Sequence, residues 1–303
     1  MAQKNVTAAT KPKPLPGYFA TRPLMPATKW FWGEIGLQSS MIQAAEVALR
    51  HFEATGKQHV GGFSDFLRAQ AASCGLSIGL KDFCDARHSA ARWYVVQAYQ
   101  VCDLFLKRLN DEYRNHKQVD PTAWQYKDGR EQLSPFEQLL ANLPQAESRT
   151  LRQVPEAALF QYYHAVRNWI VHSTSELEKR ANQDFQRLQN AHSAHFQKCY
   201  SAVKAPNPPS KLSFDDFLLF SRAMVCFAHL VSDACSLQNV DIEPIFAART
   251  KDFLREKNRK ESRIRMKASG YFGWNHGHGS DQTLKRAFAE HVVEKFRNGD
   301  YFR

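Results

Sequence analysis

The sequence predicts an all-α protein, a helical bundle followed by a basic helical C-terminal extension. Three observations lead there. Glycine (14) and proline (13) are scarce among 303 residues, and the prolines crowd into the first 26 residues and a few short breaks. An all-β chain would need many more turns. Long segments repeat apolar side chains with helical spacing, and no period-2 alternation competes with them. The chain is 43% hydrophobic and 12% aromatic, which suffices to bury a sizeable core.

Residues 1–28 carry Lys4, Lys11, Lys13 and Arg22 with five prolines and few apolar side chains, and read as a disordered basic tail. Trp30, Phe31 and Trp32 then anchor a folded body expected over 30–240. Ile42, Ala45, Val47, Leu49 and Phe52 support a helix over about 37–54, stopped by Gly56. Phe63, Phe66 and Leu67, spaced i, i+3, i+4, predict a shorter one over 63–73. The clearest helix of the first half spans roughly 81–116, with Trp93, Val96, Tyr99, Val101, Leu104 and Leu109 as its apolar stripe. His88 and Arg92, four apart, read as an exposed polar edge.

Residues 117–133 are polar and hold Asp120-Pro121 and Asp128-Gly129, signals of a connecting loop. Ser134-Pro135-Phe136-Glu137 opens a short helix to about Leu143, with Ser as N-cap and Pro in the first turn. The next helix covers 155–171. Ser173-Thr174-Ser175-Glu176 fits a capping box that starts a polar helix over 174–203. After Asn207-Pro208-Pro209, Ser213 and Asp216 start an apolar helix running to about 237. The remaining residues, 241–303, are expected as a basic helix through 249–267, a glycine-rich aromatic loop over 270–279 and a terminal helix over 281–297. The 249–267 stretch carries nine Lys/Arg against three acids.

The net charge of +11 and a pI near 9.4 point to a polyanionic partner, nucleic acid or an acidic surface. The six cysteines form no CxxC pair and have no metal-ligand spacing, so a reducing, cytoplasmic compartment is expected. No apolar leader is visible, and no run reaches the roughly 18 apolar residues of a membrane span, so no membrane partner is expected. His276 and His278 lack a Cys or acid at zinc spacing, so no metal site is assigned.

The chemistry concentrates in Tyr162-Tyr163-His164-Ala165-Val166-Arg167-Asn168-Trp169-Ile170-Val171-His172. An Arg followed five residues later by a His also occurs at Arg187/His192 and Arg286/His291, so the spacing alone carries little weight. Only Arg167 is followed at once by an amide, and it alone has paired tyrosines before it and a β-branched pair before its His. This Arg-Asn-x-Ile-Val-His arrangement resembles the signature of the HEPN superfamily, helical-bundle proteins with a metal-independent RNA-cleaving site. The likeness covers the motif strictly and the helix order over roughly 37–238 more loosely; it does not reach the basic C-terminal part.

The resemblance implies an endoribonuclease acting by 2′-hydroxyl transesterification, of the toxin or anti-phage immunity type, with no cofactor. Its partners would be RNA, tRNA among the candidates, a second copy completing the site, and a restraining or antitoxin protein. The residue types suit that chemistry. Imidazole titrates near 6.5 and serves as acid or base, so His172 is the candidate proton carrier. Guanidinium stays charged and offers a planar fork to phosphate, the role expected of Arg167, with Asn168 positioning. His164, on the same face, is a candidate orienter. Arg255, Lys257, Arg259, Lys260, Arg263, Arg265, Lys267 and Trp274 are expected to grip RNA by phosphate contact and stacking. Five helical residues turn through about 500°, which leaves Arg167 and His172 roughly 140° apart. A bend at His172 under the Ser173 cap, or a second subunit, would have to bring them together. The rival expectation is a HEPN-like bundle that binds nucleic acid or nucleotide, or scaffolds a complex, without cleaving.

Overall fold

Residues 23–79, 82–200, 203–276 and 282–302 are described by the computed structural model, and the chain is all-α. Helices α1 (Pro26–Gly56) and α3 (Phe83–His116) lie antiparallel, and a short α2 (Gly62–Ser73) sits between them in sequence. The pairing is fixed along its length by Ala27 N–H on Glu112 at 2.7 Å, by Phe31 against Phe105 and by Arg87 beside Glu53 at 3.6 Å. Two further long helices complete the bundle, α6 (Pro155–His172) and α8 (Phe214–Ala234). Tyr99 stacks on Phe160, and Phe160 stacks on Phe227, so α3, α6 and α8 share one aromatic core. Helix α4 (Pro135–Asn142) adds Phe136 to it, held by the expected capping box between Ser134 and Glu137. Helix α7 (Ser175–Cys199) packs antiparallel on α6, with Tyr162 against Phe185 near the middle and Glu156 bonded to His195 near the end far from the turn.

A second, smaller core follows. Ile242 and Phe246 of α9 (Asn239–Arg249), Leu254 of α10 (Lys251–Leu254), Ile264, Ala268 and Phe272 of α11 (Glu261–Asn275) and Phe288, Val292 and Val293 of α12 (Gln282–Arg297) are buried together. His116 and Lys117 at the end of α3 reach Asp241, the ring nitrogen 3.2 Å from its carbonyl and the ammonium 2.8 Å from its carboxylate.

Several expectations need correction. Residues 23–28 are not tail. Leu24 and Met25 are fully buried, Leu24 N–H donates to the His276 carbonyl, and Met25 N–H donates to Ser232 Oγ. The expectation of disorder for 1–22 lies outside the described residues. Helix α1 accordingly starts at Pro26 rather than 37, because Pro26 suits the first turn and the Glu112 carboxylate caps it. The α3 stripe holds in part: Val96, Tyr99 and Leu109 are buried as expected, but Trp93 and Leu104 are exposed, and Ala91, Val95, Ala98, Cys102, Phe105 and Leu106 complete the core face. Two large side chains misled there, and small residues such as Ala91 and Ala98 share the interface with Tyr99, Phe105, Leu106 and Leu109. Helix α5 (Gln145–Gln153), with only Ser148 and Leu151 buried, and a two-residue hairpin pairing Lys127–Asp128 with Glu131–Gln132 were not anticipated.

The basic helix is not continuous, since α10 ends at Leu254 and α11 begins at Glu261. The aromatic loop is helical through Asn275, because Tyr271 and Phe272 turn onto the second core; Gly277, His278 and Gly279 lie outside the described residues. Helix α8 does meet the length and apolarity of a membrane span, but its Phe217, Leu219, Phe220, Met224 and Phe227 form the bundle core.

Candidate functional site

The motif occupies the last three turns of α6. Pro155 opens that helix, and Ala157, Phe160, Tyr163 and Val166 turn one face into the core. Tyr163 Oη donates to Asp216 Oδ1 at 2.9 Å. That carboxylate also accepts from Asn207 N–H and from Ser213 N–H, each at 2.8 Å. The Asn207 side-chain amide donates a fourth hydrogen bond at 2.8 Å. Burial raises the Asp216 pKa, and these four hydrogen bonds work against the rise. Asp216 is thus a structural hub that fixes the rotation of α6, in keeping with its place in the first turn of α8.

That rotation sets His164, Arg167 and Asn168 half-buried along one edge. The His164 ring lies parallel to Tyr99, 5.5 Å between centroids and 7° between planes. Its Nε2 is 2.9 Å from Asn168 Nδ2, and Arg167 Nη1 donates to Asn168 Oδ1 at 3.0 Å. The amide nitrogen can only donate, so Nε2 is the acceptor and the ring proton sits on Nδ1. Burial, helped by the Arg180 charge, lowers the His164 pKa below its ordinary 6.5. A neutral imidazole at pH 7 follows from both facts. The Arg167 Nε is buried and lacks a partner among the described residues, whereas its fork is held by the amide. The neighbouring Trp169 ring carries Arg92 at 4.7 Å, so His88 and Arg92 are not merely an exposed edge: Arg92 braces the same turn.

His172 is exposed on the final turn. Helix α6 runs unbroken through it, and the left-handed residue is Ser173 at φ 52°, with its N–H on the Trp169 carbonyl at 2.7 Å. The expected bend at His172 is therefore absent, and Arg167 and His172 are left about 140° apart around the helix. Ser173 is also not the N-cap of the next helix. Thr174 takes that role, its hydroxyl accepting from Leu177 N–H at 3.4 Å. Only His164, Asn168 and Arg167 are joined within one chain.

Beside His164 opens a cavity of about 570 Å³ between α4, α6 and α7. Lys179, Arg180 and Arg187 line it together with Glu137, Glu176 and Asp184. None of these was assigned to a site from the sequence: Glu137 and Glu176 were read as cap residues and Arg187 only as a chance pair with His192. The signal that could have found them is the recurrence of cations and carboxylates on the α7 face that the α6–α7 turn folds back onto His164.

The eight residues expected to hold RNA divide into two groups. Arg265 forms a bidentate pair with Glu290 at 2.7 and 3.0 Å, and Arg259 pairs with Glu256. Arg259 and Lys267 lie over the Phe253 ring and Lys257 over Phe302. These four contribute to the second core's surface. Arg255, Lys260 and Arg263 are exposed, as is Trp274 at 83%. His276 is buried and structural, its Nδ1 2.9 Å from the Leu24 carbonyl. No cluster of three or more His, Cys, Asp or Glu suited to a metal ion occurs among the described residues.

Compared with known proteins, no family model, no curated protein and no solved structure matches this chain.

Proposed function

We propose that this chain is a metal-independent endoribonuclease of HEPN type whose site is assembled from two copies. The observation that carries the reading is the Arg167–Asn168–His164 chain of hydrogen bonds, which presents a guanidinium with a fixed plane beside a helix end bearing an exposed His172. Each residue then has a task. Arg167 neutralises the phosphorane, Asn168 holds the guanidinium plane, and His172 moves the proton between the 2′-hydroxyl and the leaving 5′-oxygen. His164, stacked on Tyr99 with its pKa lowered by burial, positions the amide. One protomer cannot bring Arg167 and His172 together, so the second copy supplies the complementary half. An apolar groove between α1 and α3 suits that contact: Leu37, Met41 and Trp93 are exposed along it, and Arg92 ties its end to Trp169 of the motif turn. Exposed Arg255, Lys260, Arg263 and Trp274, with the ring-packed but exposed Lys257 and Lys267, are the groups left to hold the RNA strand. The role in toxicity or immunity, and a restraining partner, rest on the family resemblance alone.

A non-catalytic, RNA-binding bundle is favoured instead by one fact, that the Arg167 fork is already occupied by Asn168. The two readings separate by incubating the protein with tRNA and total RNA in EDTA. Cleavage is expected in the wild type, with R167A and H172A each lowering it by about 100-fold or more. Cleavage that survives both substitutions, or that needs magnesium, overturns the mechanism. RNA retention without cleavage selects the binding reading, and a monomer by light scattering that still cleaves removes the two-copy site.

A further inference from the structure

The opposite end of the α6–α7 hairpin carries a second line of polar groups that RNA cleavage does not use. Glu156, in the first turn of α6, is buried with 4% exposure. Its Oε1 lies 2.9 Å from His195 Nε2 and accepts from Tyr200 Oη at 3.4 Å. On its other side the His195 ring presents Nδ1 to Cys199 Sγ at 3.9 Å. His195 and Cys199 are four apart on α7 and so share a face. Carboxylate, imidazole and thiol stand in a row.

The order fixes the proton positions. An ionised carboxylate only accepts, so Nε2 carries hydrogen and Nδ1 turns its lone pair to the thiol. Moving the Cys199 proton to Nδ1 gives a thiolate and an imidazolium, with the net charge of the row unchanged and the buried Glu156 facing a cation. Phe196 and Tyr200 pack edge-on against the His195 ring and hold its plane. His192 of α7 is the other titratable neighbour; burial and then His195 lower its pKa, which keeps it neutral at pH 7. From α8, Cys226 faces Tyr200, and burial pushes its thiol up to about 11.

Access combined with an imidazole partner separates Cys199 from the other five thiols. Its own side is half-buried and the His195 side chain is 34% exposed. Cys102, Cys226 and Cys235 are buried, and Cys74 and Cys84 are exposed but have no imidazole contact among the described residues.

We propose that Cys199 is an imidazole-activated thiol and the site at which peroxides modify this protein, forming a sulfenic acid. The thiolate attacks one peroxide oxygen, an S–O bond forms and the O–O bond breaks. Sulfur gives up two electrons and the peroxide takes them. The Nδ1 proton leaves with the departing hydroxide as water, so one thiol and one hydrogen peroxide give one sulfenic acid and one water. His195 is the proton carrier of this step and Glu156 its positioning residue. The site lies about 24 Å along α6 from His172, and it is independent of the RNA chemistry.

The experiment exposes the full-length protein to limiting hydrogen peroxide at about pH 6, with dimedone present to trap sulfenic acid. Peptide mapping by mass spectrometry reads each cysteine, and Cys74 and Cys84 are internal references. Cys199 is expected to label at least about tenfold faster than either reference, and H195A should remove that advantage, with E156Q lying between. Circular dichroism establishes that each variant is folded; the ranking within the wild type does not depend on them. Equal labelling of Cys199 and the exposed thiols, or a Cys199 rate unchanged in a folded H195A, overturns the proposal.

Discussion

Asn168 is the side chain on which the candidate site turns. It spends its carbonyl on Arg167 and its amino group on His164, so one amide orients both a cation and a base. Replacing it with alanine removes the hydrogen bond that favours neutral His164 and opens the ring to water. The His164 pKa should then rise toward 6.5, and stability should fall by about 1 kcal/mol. An imidazole NMR titration in N168A checks this; an unchanged or lower pKa would contradict the assigned tautomer. The pairing of His164 with Asn168 was legible from their spacing of four, as was the separation of Arg167 from His172. Tyr99 was not, because a ring arriving from another helix leaves no mark near the motif. The division of the basic residues was equally hidden. Nothing in the run 249–267 tells that Glu290, from α12, occupies Arg265 while Arg263 stays in water.

Among the elements, the α6–α7 turn shows how adjacent cap formers deceive. Ser173 and Thr174 both suit an N-cap, and the sequence favours Ser173 through Glu176 three residues on. Backbone geometry decides otherwise, since Ser173 takes φ 52° to end α6 and Thr174 starts α7. A non-glycine residue in the left-handed region costs roughly 1–2 kcal/mol, offset in part by the larger chain entropy of glycine when unfolded. S173G should therefore stabilise by about 0.5 kcal/mol, seen as a small rise in melting temperature. A lower melting temperature would mean that the Ser173 hydroxyl makes a contact worth more than the strain. Long amphipathic helices such as α6 and α8 were legible because large apolar residues carry their buried faces. Helix α5 was not, as a polar segment with one buried leucine has no readable period. The break between α10 and α11 was masked for the same reason: charge is as dense in the gap as in the helices beside it.

At the level of the whole molecule, two cores meet across a pair of buried imidazoles. His116 and His276 stand 5.3 Å apart, edge to face, and each touches a backbone carbonyl of the other unit or of the N-terminal segment. Burial lowers both pKa values, that of His276 to about 3. An unfolded histidine titrates near 6.5, so between about pH 6.5 and 3 the unfolded chain binds protons that the folded one refuses. The stability contributed by the neutral rings is complete above that window and is lost as pH falls through it. Thermal melts from about pH 7.5 to 5 should show a steady loss, and the slope should be shallower in H276N. A wild-type stability that is flat over this range, or a slope unchanged in H276N, would place the acid-sensitive groups elsewhere.

The short segment before α1 has a consequence for how the chain is made. Leu24 bonds to His276, 252 residues later, and Met25 to Ser232, 207 residues later. At a synthesis rate of roughly 5–20 residues per second, the partner of Leu24 appears about 13–50 s after Leu24 itself. For that interval the Leu24 backbone, destined for a buried site, lacks its partner. The bundle helices can assemble as they emerge and take Met25 with them once α8 is made, but Leu24 locks only when His276 arrives, so the segment before α1 is fixed in two stages.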